Sequence, residues 1–567
     1  MKLVSPLIIF VSIFFKAITL TAQSYNPLFI PDTIMGTHFT LTVDESTKQF
    51  FSGKATNTYG INGNFLGPTL IMNQGDSVFM NVINQLADTT TMHWHGFHIP
   101  AIMDGGPHQP IPPGTTWSPY FKVANKAATY WYHPHLHMMT ENQMLMGLAG
   151  MIIIRDSIEA SLSLPRTYGV DDFPLILLDR KFDNLNQLLD GAYGDTMLVN
   201  GTLYPEVSMP AQYVRLRFLN ANHERSYNIG FSDNRTFYVI TSDGGLLDAP
   251  VPVTRYLLSV GERVEIVVDF TAQQNSKVDV MAYNANLADY VPGNEPVNSP
   301  PPFGNALGAR DFMILHINVA AQTSNLVISI PTSLTSNQFY QENSATVTRF
   351  LQINNDPVTK AFQFNGEFFN MDSINQYVNL NATEIWEIEN ISTIAHPFHI
   401  HDIEFSILSR NGQDPAKEEQ GWKDVVLVNK NETVRFITKF TDFADSIHPY
   451  MYHCHIAAHE DDGLMGQFVV IDSSLVTGNA NSLINNTAIN IYPNPSHSFI
   501  NVKCNNKIVS QINLAIFNAM GQLVYQNRKV DKVNPFQIDI SNFQEGIYNL
   551  KLYSKEGIVN SKFVVKK

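Results

Sequence analysis

The strongest constraint in this chain is a two-residue rhythm. Short runs alternate apolar with polar side chains, and each is closed by Gly, Pro, Asn or Asp. Ser77–Ile83 reads SVFMNVI, Tyr213–Leu219 reads YVRLRFL, Val264–Phe270 reads VEIVVDF and Glu384–Glu389 reads EIWEIE. Successive side chains on an extended strand point to opposite faces, so the pattern predicts strands. Helical periodicity is scarce. The runs predict an all-β chain of sandwiches or barrels. At 567 residues the chain has room for three or four such domains.

An internal repeat divides it. Tyr130–His135 (YWYHPH) resembles Tyr450–His455 (YMYHCH), and each is followed by a related strand, Gly147–Asp156 (GLAGMIIIRD) and Gly463–Asp472 (GLMGQFVVID). Residues 25–158 and 323–475 therefore read as copies of one β-barrel. Residues 159–322 share the strand rhythm without histidine pairs, a third copy without metal chemistry. Within them Asn284–Arg310, rich in Pro, Gly and Asn, predicts an irregular surface excursion. After Asp472 the composition turns to Ser, Asn and Thr, a linker at 476–488, and a separate β-rich module fills 489–567.

Lys2, the apolar stretch Leu3–Phe15 and the small residues of Thr19–Ala22 form an export signal, 1–22, and Lys16 interrupts the apolar run before it could span a bilayer. The chain carries 51 Asp plus Glu against 36 Lys plus Arg, a net charge of −15, which argues against a nucleic-acid groove. Cys454 and Cys504 are the only cysteines and fall in different modules, so a disulfide is a poor explanation for Cys454.

Its neighbours offer a better one. Ten of the 18 histidines fall in four short segments: His93-Trp94-His95, His133-Pro134-His135, His396 with His399 and His401, and His453-Cys454-His455 with His459. Strand parity places both imidazoles of a His-x-His pair on one face. Four converging pairs would offer eight nitrogen donors, too many for one ion and suited to a cluster of three. The same parity turns Cys454 away from His453 and His455, toward a second metal. His396 is three residues before His399, an odd offset, and His459 can wrap back from the following loop. Two His and one Cys make the trigonal set of a blue-copper electron-transfer centre. Zinc also accepts these donors, but its structural sites are usually four-coordinate and it has no redox chemistry to justify linking two sites.

With these motifs on the page, residues 25–475 resemble the three-domain multicopper oxidases, the laccases, cuprous oxidases and bilirubin oxidases. The resemblance implies three cupredoxin-like Greek-key β-barrels, with a small β-sandwich after them, and four copper ions. His396, Cys454 and His459 match the type 1 ligands. His93 and His399 match type 2. His95, His133, His135, His401, His453 and His455 match the type 3 pair. Dioxygen would be reduced to water after four single-electron transfers. The family's axial position, ten residues after the cysteine, is Leu464, with Met465 one place later, and a non-coordinating Leu should raise the potential. Asp104 resembles the acid near type 2 copper, and Glu460 the acid that feeds protons to the type 3 pair.

Other residues read more plainly. His98, His108, His137, His223, His316 and His448 match no ligand position. Trp94 and Trp131 alternate with ligands and are expected to face away from them into the core. Met138, Met139, Met144 and Met146 read as packing rather than a Cu(I) site. The tail, with Tyr492-Pro493-Asn494-Pro495, Gly546-Ile547-Tyr548 and Lys562–Lys567, resembles the sorting domain of type IX secretion substrates. It implies export through the periplasm to the cell surface or medium, with the secretion machinery as partner. The expected substrates are dioxygen and a small reducing donor, a phenol or aromatic amine. Oxidation of Cu(I) or other metal ions is the alternative, and a non-catalytic copper-binding protein a remote one.

Overall fold

The structure is a computed structural model that describes residues 24–191, 193–300, 303–472, 489–504, 512–518, 523–530, 536–554 and 557–567. The export signal 1–22 and the linker 476–488 lie outside these residues. The chain forms two compact units. One is Met1–Phe369 with Ala382–Lys439 and Tyr450–Gly466, and the other is Asn370–Asn381, Phe440–Pro449 and Gln467–Lys567.

The first unit is built almost wholly of sheet. A five-stranded sheet containing Thr69–Asn73, Gly150–Arg155, Thr129–His133 and His93–His95 faces one built on His38–Lys48 and Ser77–Asn84. Ser77–Asn84 follows its sequence rhythm, with Val78, Met80 and Val82 buried beside Leu70, Trp94 and Tyr132. The middle region pairs a seven-stranded with a six-stranded sheet. The latter also takes Asn26–Pro27, parallel to Pro205–Pro210. Further on, Val347–Asn355, Phe362–Phe364, Thr383–Asn390, Phe405–Arg410 and Glu432–Lys439 form a five-stranded sheet. His396–Ile400 lies between Val425–Val428 and the Tyr452–Cys454 end of a long strand.

The alternation of Tyr213–Leu219 and Val264–Phe270 marks two faces, but neither face meets water. Arg215, Arg217 and Glu265 are buried. Arg217 donates to both oxygens of Asp172 at 2.7 and 2.9 Å, and Arg215 donates to Glu265 at 2.8 Å and to Glu159 at 2.7 Å. Polar positions that a single strand would give to solvent are here an ion-pair layer. Removing one partner from such a layer costs about 3–5 kcal/mol, because the other charge stays buried.

The internal repeat has a packing cause. Tyr132 sits opposite Gly150, and a Cβ on that glycine would lie 2.2 Å from the tyrosine ring. A Cβ on Gly466 would lie 2.3 Å from the ring of Tyr452. In both copies a tyrosine lies flat across the neighbouring strand, and only glycine leaves room. Leu148 and Leu464 hold matching, fully buried places two residues earlier. Residues 284–310 carry no strand among the described residues, as expected, but part of the segment is docked rather than a free surface excursion. Gly293 and Asn305 oxygens accept from the buried Arg225, and Tyr290 O accepts from Ala395 N.

In the second unit Gln376–Asn379 runs parallel to Phe468–Ile471. Its C-terminal part has a three-stranded sheet, Ile489–Tyr492, Phe499–Cys504 and Phe536–Asp539. A four-stranded sheet carries Gly546–Ser554 and Gly557–Val565. Ile500, Val502, Leu514, Ile516, Leu550 and Phe563 share their core.

Candidate metal centre

Strand pairing assembles the histidines. His93 lies opposite His133 in the first sheet, and His399 opposite His453 in the third region. The two sets then interleave, with His93 stacked on His401 at 3.9 Å and His95 on His399 at 3.8 Å between ring centroids. None of the eight is more than 1% exposed. Burial, reinforced by neighbouring imidazoles, pushes His95, His133, His399, His401 and His455 well below the ordinary histidine range, so they are neutral.

Partners fix which nitrogen of each neutral ring keeps its lone pair. His93, His133 and His399 each have a backbone carbonyl within 2.8–2.9 Å of Nδ1, leaving three buried Nε2 atoms without a partner. His401 donates from Nδ1 to Asp104 Oδ2 at 2.7 Å, and His453 from Nδ1 to Cys454 O at 3.0 Å. His135 Nδ1 lies 3.0 Å from Glu460 Oε1. Their Nε2 lone pairs then converge, His135 on His453 at 3.2 Å and His401 on His453 at 3.3 Å. Three lone pairs at that separation repel unless a cation lies among them. The donor set therefore fits metal.

The second site lies on the other face of the same strand. Cys454 Sγ lies 3.4 Å from His396 Nδ1 and 3.6 Å from His459 Nδ1, while His453 and His455 join the other cluster. Ser392 Oγ–H donates to Asn390 at 2.6 Å, so His396 Nε2–H donates to Ser392 Oγ at 2.9 Å and its Nδ1 lone pair faces the sulfur. Burial pushes the Cys454 thiol up and His459 down to about 3. The bare triangle is thus neutral, and a soft cation is what would favour the thiolate. Phe362 packs at 4.5 Å against both rings. Leu464 O accepts from Cys454 N at 3.1 Å. Because Gly466 faces the Tyr452 ring, strand parity puts Leu464 rather than Met465 on the cysteine's face.

Both predicted acids lie against the clusters. Asp104 touches His401 and, through its Oδ1, lies 3.5 Å from His93 Nδ1. Glu460 spans His135 and His453, at 3.0 and 3.1 Å, and accepts from Thr140 Oγ1 at 2.7 Å. Burial would raise the Glu460 carboxyl, but the two imidazoles hold it well below the usual range.

Trp131 departs from expectation. It stacks on His133 at 4.1 Å and lies near His95 and His455. Trp131 and His133 are two residues apart and share a face, so alternation with the ligands never applied to it. Trp94 does turn into the core, near Trp117 and Tyr132. His98, His316 and His448 meet carboxylates, and His223 a carbonyl. Met144 packs in the core, whereas Met138 is 69% exposed. Sequence reasoning missed Asp424, Arg263, Ser392 and Thr140. Asp424 meets His95 and Ser392 meets His396, whereas Arg263 reaches the histidines through Asp424 and Thr140 through Glu460.

An all-β chain with such a thiolate–imidazole triangle and a buried imidazole cluster is of the cupredoxin-like copper class. Residues 42–159 and 340–474 match the multicopper oxidase family, and residues 490–566 match the secretion system C-terminal sorting domain. The chain is 34% identical over 443 residues to multicopper oxidase mco of Staphylococcus haemolyticus, covering 76% of this chain and 88% of that protein. It is also 34% identical over 464 residues to the cell division protein FtsP of Sodalis glossinidius, covering 80% and 92%. Its fold is similar to a laccase-like multicopper oxidase from Ochrobactrum sp., with a TM-score of 0.70, 32% identity and coverage of 78% and 100%. It is similar too to a Campylobacter jejuni multicopper oxidase described as a metallo-oxidase, with a TM-score of 0.68, 25% identity and coverage of 79% and 96%. The chain belongs to the multicopper oxidases, oxidoreductases with a copper cofactor, and it carries a C-terminal sorting domain.

Proposed function

We propose a laccase-like oxidase of four coppers, which supply one-electron steps from a phenol or aromatic amine to dioxygen, forming water. His396, Cys454 and His459 would hold the type 1 ion, beside a non-coordinating Leu464. His93 and His399 would hold type 2, and His95, His133, His135, His401, His453 and His455 the type 3 pair. One observation carries this reading: Cys454 faces one donor triangle while its neighbours His453 and His455 face the other cluster. That arrangement gives electrons a path of a few covalent bonds between the sites.

The protein's own part is positional. Glu460 orients His135 and His453 and, as a carboxylate, can relay a proton to where water forms, with Thr140 fixing one carboxyl oxygen. Asp104 does the same for His401. Ser392 turns the His396 lone pair inward, and Phe362 shields the triangle.

A second reading, a Cu(I) or other metal-ion donor, is favoured by exposed Met138, since thioethers suit Cu(I), and by the description of the Campylobacter jejuni structure. We further propose barrels at 25–158, 159–322 and 323–475, a sorting module at 489–567, and export through the periplasm to the surface. The test is aerobic turnover of copper-loaded protein with a phenol, a bilirubin-like pigment, Cu(I), Fe(II) and Mn(II). Four bound coppers, a blue absorption and fastest oxygen uptake with the phenol are expected. Faster uptake with Cu(I) replaces the first reading by the second, and failure to bind copper removes both.

A further inference from the structure

The middle barrel has no histidine pair, yet one of its turns backs the histidine cluster. Arg263 is fully buried and donates to both oxygens of Asp424, at 2.6 and 2.5 Å. Its remaining donors are held by Thr129 O at 3.1 Å, Gly261 O at 3.1 Å and Asp243 O at 3.2 Å. The guanidinium is therefore fixed, and it fixes the carboxylate. Asp424 Oδ1 then lies 3.1 Å from His95 Nε2.

That contact gives His95 a tautomer different from its neighbours. A carboxylate accepts only, so the His95 proton sits on Nε2 and the lone pair on Nδ1. His93, His133, His399, His401 and His453 have carbonyls or carboxylates at Nδ1 and keep the lone pair on Nε2. The His95 Nδ1 lone pair faces inward, 3.1 Å from His455 Nε2. His455 is braced by the same turn. Gly261 has φ +83°, and a Cβ there would lie 2.7 Å from the His455 ring. A Cβ on Gly96, next to His95, would lie 2.5 Å from Asp424 Oδ2, so the strand approaches the ion pair as closely as glycine allows.

We infer that Arg263 of the middle barrel, acting through Asp424, is a positioning device that commits His95 to ligation through Nδ1. Asp424 could be mistaken for a ligand, since its oxygen lies close to His95 and His399 donor atoms. Both its oxygens are engaged by Arg263, which makes it a partner of the imidazole instead. The inference rests on the copper-cluster reading above and assigns the middle barrel a part in it.

Two double variants separate the acceptor from the charges. Arg263→Gln with Asp424→Asn keeps an amide oxygen that can face His95 Nε2. Arg263→Met with Asp424→Leu keeps the volume and removes the acceptor. Copper content, the blue absorption and the near-ultraviolet absorption of the coupled copper pair are read on each beside wild type. The Gln/Asn variant is expected to keep all three. The Met/Leu variant should lose pair absorption and bind fewer coppers while its blue absorption stays. Full copper and an unchanged pair band in the Met/Leu variant would overturn the inference, as would equal loss in both. Nitrogen-15 tautomer assignment on copper-free wild type needs no variant. It should find the His95 proton on Nε2, and a proton on Nδ1 overturns the proposal. If wild type binds no copper, the cluster reading fails instead, so the two failures are distinct.

Discussion

Glu460 touches two imidazoles of one triad and a threonine hydroxyl, so a change at this residue reports on proton supply where copper content is unchanged and on assembly where copper is lost. Glu460→Gln keeps the volume and one acceptor oxygen. We expect reoxidation by dioxygen to slow on the order of 10²-fold in stopped-flow traces while the blue absorption stays unchanged. Leu464→Met should lower the blue-site potential in redox titration, because a thioether on the cysteine's face adds a weak ligand that leucine cannot offer. At this scale the sequence was legible wherever parity decided. The opposed directions of Cys454 and its two histidine neighbours follow from strand geometry alone. Trp131 was misread because its offset from His133 was not counted. Asp424 and Arg263 could not be read at all, since they lie 161 residues apart and no local spacing joins them.

Among elements, the repeated tyrosine–glycine crossing was visible as a sequence repeat, but its reason, a ring laid over the next strand, needed coordinates. Gly466→Ala would overpack Tyr452, two residues from Cys454. A loss of about 1–3 kcal/mol in denaturant unfolding is expected, with a shifted blue band. The short helix Thr140–Met146 bears a separate titration. Asp461 accepts from the Thr140 and Glu141 amides at 3.1 and 2.9 Å. Burial, then Asp190 and Asp462, raises the Glu141 carboxyl from 4.5 to about 7. The folded chain holds that proton more tightly than the unfolded chain. Its stabilising contribution is therefore complete below about pH 4.5 and is lost as pH rises through about 7. Burial also raises Asp461 from 3.8 to about 7, so Glu141→Gln should lessen rather than abolish the loss of thermal stability across that window and raise stability at pH 8, by at most about 3 kcal/mol. The alternating strands were legible one by one. That Arg215 and Arg217 face an ion-pair layer instead of water was not, because the layer is supplied by strands distant in sequence.

For the whole molecule, every proposed copper ligand lies in the first compact unit and the sorting module in the other. Ending the chain at residue 472 should leave copper content and oxygen uptake unchanged in purified protein while abolishing release from cells, which fractionation and an activity assay would show.

The interleaved rings carry a consequence for biogenesis. His95 and His455 meet across 360 residues of chain. A ribosome must finish the third barrel before either has its mate, so the interleaved cluster cannot close on a partial product, although His93, His95 and His133 alone already form a donor group. Filling of the whole cluster would then wait on the finished chain. Once seated, the ions would rivet the first barrel to the third, and ligand-linked stabilisation would make the loaded form harder to pull apart than the bare one.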